Sequence, residues 1–198
     1  MIIAWDFDGV LNRNHANGRY VWEDAFEEQV GQPASAFGDF VFRREPSVII
    51  GQEDMLTRLA AWTRTVPCRL SALEILDLWL ELDAHPDAEM LALVDALSAA
   101  GQRQIVATNN ETRRAGFIER QMGMSSRVEQ VFASGRMGVA KPDPAYFRQI
   151  TDALGVAASV MFLVDDLAAN VEAASAAGWQ EYHFTPATRA GLIDRLQT

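Results

Sequence analysis

The stretch IIAWDFDGVLN places Asp6 and Asp8 two residues apart at the end of an apolar run. On a strand, residues two apart share one face. The two carboxylates are therefore expected together at the strand's carboxyl end, where open α/β sheets bind ligands. Gly9 would let the backbone turn away sharply. Carboxylates crowded in this way raise one another's pKa unless a cation sits between them. A second acidic pair, Asp165 and Asp166 in FLVDDLAAN, ends another apolar run, with Asn170 just beyond. Together with Asp6 these oxygens suit a hard cation such as Mg²⁺. Ordinary strand exits and helix N-termini also favour acids, so neither string decides the chemistry alone.

Two further strings extend the pattern. IVATNNE brings Thr108, Asn109 and Asn110 to the end of an apolar run, before a helical pattern. Hydroxyl, amide and free backbone N–H groups at a helix start suit an anion, and they equally suit N-capping. Lys141, in GVAKPDPAYF, is the only lysine of the chain; every other permanent side-chain cation is arginine. A compact ammonium in that setting would offset crowded carboxylates and hold a phosphate as a point charge.

The elements that must position these residues follow from hydrophobic patterning. Residues 2–7, 104–109, 130–134, 160–165 and 181–185 read as short buried strands. Helical patterns over 87–100, 112–122, 144–154 and 168–177 separate the last four, with Gly101, Gly155 and Gly178 as stops. This alternation predicts an α/β fold, a doubly wound Rossmann-like parallel sheet of five strands. Between the first strand and Asp87 the rhythm breaks. Residues 22–30, 53–64 and 70–81 look amphipathic and helical, and 48–51 is ambiguous. Residues 14–84 are expected to form an α-helical cap inserted into a core made of 1–13 and 85–198.

Composition narrows the function. The formal net charge is −10, which argues against nucleic-acid binding. Cys68 is the sole cysteine, so neither an intrachain disulfide nor a cysteine zinc cluster can form. No apolar run approaches the roughly 20 residues of a membrane span, and MIIAWDFDG lacks the pattern of a signal peptide. A soluble cytoplasmic protein without a membrane or nucleic-acid partner is expected.

Taken in order, Asp6-Phe7-Asp8-Gly9-Val10, Thr108-Asn109, Lys141 before Pro142, and Asp165-Asp166 with Asn170 resemble the four motifs of the haloacid-dehalogenase-like hydrolase superfamily. The resemblance covers about two thirds of the chain, and the insertion resembles that superfamily's helical cap. AKPDPAYF is similar to the branch that includes sugar-phosphate phosphatases. The resemblance implies an Mg²⁺-dependent phosphatase acting on a small phosphorylated metabolite, with a sugar phosphate as one candidate. It makes Asp6 the nucleophile and Asp8 the acid and base. Thr108, Asn109 and Lys141 become phosphate ligands. Mg²⁺ falls to Asp6, Asp166 and the Asp8 carbonyl, with Asp165 helping through water. Many relatives carry an aspartate where this chain has Arg13.

Other classes stay open at this point. A phosphomutase would keep both aspartates of the first motif. A 2-haloacid dehalogenase would typically lack Asp8, and a phosphonatase would need a cap lysine that this chain does not have. A binding module would be expected to lose Asp6, Lys141 or an acid of the last motif. In the insertion, Arg43, Arg44, Trp22, Arg58 and Trp62 are candidate leaving-group contacts, although a solvated charge pair and core tryptophans explain them as well. His15 is a candidate for the entrance or an ordinary surface residue. Neither the substrate nor the oligomeric state is written in any motif.

Overall fold

The computed structural model describes residues 1–16 and 18–197. Asn17 and Thr198, assigned from sequence to the insertion and the core, lie outside the described residues. The chain begins with β1 (Ile2–Trp5), whose four residues are all buried. A two-residue hairpin follows, β2 (His15–Ala16) against β3 (Arg19–Tyr20). Four helices come next: α1 (Glu23–Val30), α2 (Ala34–Val41), α3 (Met55–Trp62) and α4 (Ala72–Leu82). The alternating part then runs α5 (Ala88–Ala99), β4 (Arg103–Thr108), α6 (Thr112–Arg120), β5 (Val131–Ala133) and the short α7 (Ser134–Met137). It closes with α8 (Pro144–Leu154), β6 (Met161–Asp165), α9 (Ala168–Ala176), β7 (Gln180–His183) and α10 (Arg189–Gln197).

Five strands form one parallel sheet in the order β5-β4-β1-β6-β7. β1 is central: Trp5 lies beside Val106 on one side and Val164 on the other. The period of two sends Ile3 and Trp5 into one layer and Ile2 and Ala4 into the opposite one. The first layer holds Met90, Val94, Ile118 and Leu192 from α5, α6 and α10. The second holds Tyr146, Phe147 and Ile150 from α8 with Ala174 from α9. Helices on both faces explain why β1, β4, β5 and β6 read as largely apolar runs, whereas the edge strand β7 is exposed at both its ends. Registry also aligns the carboxyl ends of β1, β4 and β6, so Asp6, Thr108 and Asp165 emerge at one edge.

The four helices before α5 bury a cluster of their own, built on Phe26, Phe37, Leu59, Trp62, Ile75 and Trp79. Each such side chain contributes roughly 1.5–3 kcal/mol on burial. Local signals start the helices: Asp54 caps α3, and Ser71 with Glu74 forms a capping box on α4. The chain enters and leaves this region through adjacent segments, with the Arg13 N–H donating to the His85 carbonyl at 2.7 Å. Opposite that entry, the 48–51 turn rests on the loop after β5. Ser134 Oγ donates to the Ile49 carbonyl at 2.7 Å. A Cβ on Gly51 would lie 2.1 Å from the Gly135 carbonyl oxygen, so backbone meets backbone there.

Among the described elements α2, the β2–β3 hairpin, the four-residue α7 and α10 are absent from the sequence-based expectation. α2 carries Gly38, which weakens its helical signal. The hairpin is too short to show a period, and α10 lies in a tail with no strong stripe. Strand ends also shift: β1 stops at Trp5 and β4 at Thr108, so Asp6, Asp8 and Asn109 sit on loops. No helix among the described residues is long and apolar enough to cross a membrane.

Candidate active site

Lys141 occupies the centre of the sheet's carboxyl edge. Its side chain is wholly buried, and Nζ reaches three oxygens: Asp165 Oδ2 at 2.6 Å, the Ala107 carbonyl at 2.7 Å and Asp6 Oδ1 at 3.0 Å. Burial works against the ammonium, but Asp6 and Asp165 more than offset it and hold its pKa above the usual lysine value. Asn109 fixes the backbone beneath it, accepting from the Lys141 N–H at 2.9 Å and donating to the Lys141 carbonyl at 2.8 Å. The Asn109 side chain is thus committed to lysine placement, and its backbone remains for other partners.

Asp6 is 6% exposed. Its N–H continues the sheet ladder to the Val164 carbonyl at 2.8 Å. Oδ1 accepts from the Phe7 N–H at 2.7 Å as well as from Lys141. Burial pushes this carboxyl well above the usual range; Lys141 pulls it back, and Asp165 and Asp166 push it further up. Asp165 is buried and held on several sides, by Lys141, by Asn170 Nδ2 at 3.0 and 3.1 Å and by the Leu167 N–H at 2.9 Å. Asp166 is only partly buried, and burial together with Asp165 raises its pKa. Carboxylate oxygens of Asp6, Asp165 and Asp166 lie within 4.8 Å of one another. Gly9, at φ 80°, lets the loop pass this cluster: a Cβ there would meet Asp166 Oδ2 at 2.3 Å.

Asp8 lies outside that cluster. Its Oδ1 accepts from Asn12 and Asn14, each at 2.9 Å, and from Arg114 at 2.6 Å. Its Oδ2 accepts from Asn110 at 3.0 Å. The same Asn110 amide donates to Thr108 Oγ1 at 2.7 Å, so the hydroxyl of Thr108 is tied to Asp8 through one side chain. Arg114 is 3% exposed and also pairs with Asp83 at the end of α4. Its guanidinium stands over the Trp79 ring, 5.1 Å from the centroid. Asn14 and Asn12 complete the tie, donating to Asp83 Oδ1 at 2.9 Å and to the Asp83 carbonyl at 2.8 Å.

Arg114, Asn12, Asn14 and Asp83 are absent from the sequence-based site. One signal was available for Arg114. It falls four residues before Ile118, on the buried stripe of α6, where an unpaired charge would be costly.

A cavity of about 500 Å³ opens beside Asp8, between the sheet edge and the inserted helices. Trp22 and Arg43 line it; Arg58, Trp62 and His15 do not. Arg58 is buried against Glu53 and the carbonyls of Phe40 and Pro46. Trp62 belongs to the insertion's own core. Arg44 covers the Phe40 ring, 4.1 Å from its centroid. His15 is exposed, with its ring 3.9 Å from that of Tyr20.

Known proteins resemble this chain to different extents. The phosphoglycolate phosphatase of Rhodospirillum rubrum is 36% identical over 88 residues, 44% of this chain and 36% of that protein. Phosphatase MT3486 of Mycobacterium tuberculosis is 31% identical over 125 residues, 62% of this chain and 57% of that protein. The chain therefore matches about half or less of the length of these curated relatives. Among solved structures, the HAD family enzyme bt-2542 of Bacteroides thetaiotaomicron, a magnesium complex, superposes with a TM-score of 0.79 at 18% identity, covering 98% of this chain and 97% of that one. At that identity the likeness speaks for the fold. The family model described as haloacid dehalogenase-like hydrolase matches residues 1–178, and the chain belongs to that family.

Proposed function

We propose that the protein is a phosphatase that hydrolyses a small phosphate monoester through a phosphorylated Asp6. The observation that carries this reading is the pairing of one buried lysine with two buried carboxylates beside a third, at the sheet edge whose first loop also carries Asp8 into the chamber. The names of the two curated relatives support the same reaction class.

The acid cluster fits Mg²⁺. It offers oxygens from Asp6, Asp165 and Asp166, with no thiol or imidazole among them, and hard oxygens are what that ion takes. Lys141 supplies one positive charge against three carboxylates, which leaves room for a divalent cation. The magnesium in the Bacteroides enzyme accords with this. Asp6, Asp166 and the Asp8 carbonyl would hold the ion, with Asp165 behind them. When bound, it would screen the charge between an anionic nucleophile and an anionic phosphoryl group.

The protein's own groups then divide the work. Both hydrogen bonds to the Asp6 carboxylate fall on Oδ1, which leaves Oδ2 to attack phosphorus in line. Asp8 donates a proton to the departing alcohol oxygen, and then takes one from the water that cleaves the acyl phosphate. Thr108 and the Asn109 backbone hold phosphoryl oxygens, and Lys141 stabilises charge on the group in transfer.

The test is release of inorganic phosphate from a panel of metabolite phosphates with Mg²⁺. Steady turnover that vanishes in Asp6→Asn is expected. A panel with no release, or an unaffected variant, would remove the reading.

A further inference from the structure

The chamber beside Asp8 has a charge balance that bears on what it admits; the inference drawn from it rests on the phosphatase reading above and extends it to substrate class. Its described walls carry five acids, Asp8, Glu23, Asp39, Asp83 and Glu111, and two arginines, Arg43 and Arg114. Both arginines already have carboxylate partners. Arg114 is spent on Asp8 and Asp83. Arg43 is paired with Asp39 at 2.9 Å, one helical turn away and exposed. Glu23 is held by Arg19 from the hairpin at 2.8 Å. Lys141 is buried behind the Asp6 carboxylate and does not line the chamber.

Four aromatic rings share the remaining surface with small residues, Ile49 and the amides of Asn14, Asn109 and Asn110. Tyr20, Trp22, Phe42 and Trp79 line the space. Tyr20 stacks on Trp22 with centroids 5.4 Å apart, and Phe42 meets Trp79 at 5.6 Å. The indole N–H groups of Trp22 and Trp79 are buried without an acceptor, although each residue is about 5% exposed. The walls therefore present flat apolar faces, carboxylates that accept, and the amides of Asn14, Asn109 and Asn110; the indole N–H groups lie beneath that surface.

We infer that this chamber selects phosphate esters of uncharged, hydroxylated alcohols and disfavours esters whose leaving alcohol bears a carboxylate. A hydroxyl group both donates and accepts, so it answers carboxylate and amide alike. The C–H faces of a polyol or sugar rest on aromatic rings. A carboxylate only accepts, and it would enter a space whose fixed charge is already negative, where Arg114 is held by two carboxylates and Arg43 is shared with Asp39.

The experiment compares kcat/KM, with Mg²⁺, for glycerol 3-phosphate and glucose 6-phosphate, for 3-phosphoglycerate and phosphoglycolate, for phosphoethanolamine, and for p-nitrophenyl phosphate as a generic ester. The better of the two polyol esters should exceed both carboxylate esters by on the order of tenfold or more. Asp39→Asn, which frees Arg43, should narrow that ratio by raising turnover of 3-phosphoglycerate. Carboxylate esters turned over as well as the polyol esters would overturn the inference, as would phosphoethanolamine ranking first. So would a ratio unmoved in Asp39→Asn. Release from p-nitrophenyl phosphate with no such preference sinks this inference alone; no release from any ester sinks the phosphatase reading with it.

Discussion

The Arg114 guanidinium donates to the Asp8 carboxylate at 2.6 Å and pairs with Asp83 on the far side. One buried cation thus joins the first loop of the core to the exit of the inserted helices. Arg114→Ala would leave Asp8 oriented by asparagines alone. We expect a fall of about 10² in kcat with a smaller change in KM. The loss should be steeper for alkyl phosphates than for p-nitrophenyl phosphate, whose leaving group needs no proton. Equal losses on both substrates would count against an Arg114 role through Asp8.

Asp6→Asn should abolish turnover and keep the fold. It preserves the volume and removes one charge from a buried group whose ionised form is disfavoured by burial and by Asp165 and Asp166. Thermal unfolding should show a native-like transition, and a collapsed one would point to a structural role.

Lys141→Arg should be far from conservative. The ammonium fits a wholly buried site with three oxygens at 2.6–3.0 Å, and a planar guanidinium is wider and fixed in shape. We expect kcat/KM to fall on the order of 10² or more, about 2.7 kcal/mol. Lys141→Ala should also destabilise by roughly 3 kcal/mol, since two carboxylates lose their buried partner. Steady-state kinetics and denaturant unfolding read the two effects separately.

Chelation by EDTA should stop activity, and Mg²⁺ should restore it. Asp166→Ala should raise the Mg²⁺ concentration needed for half-activity more than Asp165→Ala does. Asp165 is already committed to Lys141, Asn170 and the Leu167 N–H. Its loss should instead show as lowered stability. A Mg²⁺ titration of both variants tests the order.

Stability should fall in acid through Asp87. Burial raises its pKa, but Arg189 at 2.6 and 2.7 Å and the Met90 N–H outweigh that and hold it below the ordinary 3.8. A depressed aspartate stabilises fully above its unfolded value and ceases to do so as pH drops through the folded one. Unfolding free energy should therefore decline below about pH 4, less steeply in Asp87→Asn, which itself costs roughly 2 kcal/mol at neutral pH. Urea unfolding from pH 3 to 7 measures both.

The sheet was legible because β1, β4, β5 and β6 are buried and leave largely apolar runs. The residues at its edge were legible because Asp6, Thr108, Lys141 and Asp165 each end or follow such a run. What stayed hidden depends on contacts between distant segments. Asp83 and Arg114 find each other only because α4 delivers the chain back beside β1, and no local period encodes that return. The hairpin bearing Tyr20 is two residues per strand, too short to pattern. Asp8 differs from the expectation of two aspartates on one strand face: β1 ends at Trp5, and the turn at Gly9 carries Asp8 toward the asparagines.

The contact between Gly51 and Gly135 works as a doorstop. With a Cβ position only 2.1 Å from the facing carbonyl oxygen, the two backbones already touch, and no side-chain rotation can bring the inserted helices closer to the sheet edge. At that point the spacing between the inserted segment and the sheet edge is set by peptide groups rather than by flexible side chains. Any residue larger than glycine at position 51 would push these two segments apart.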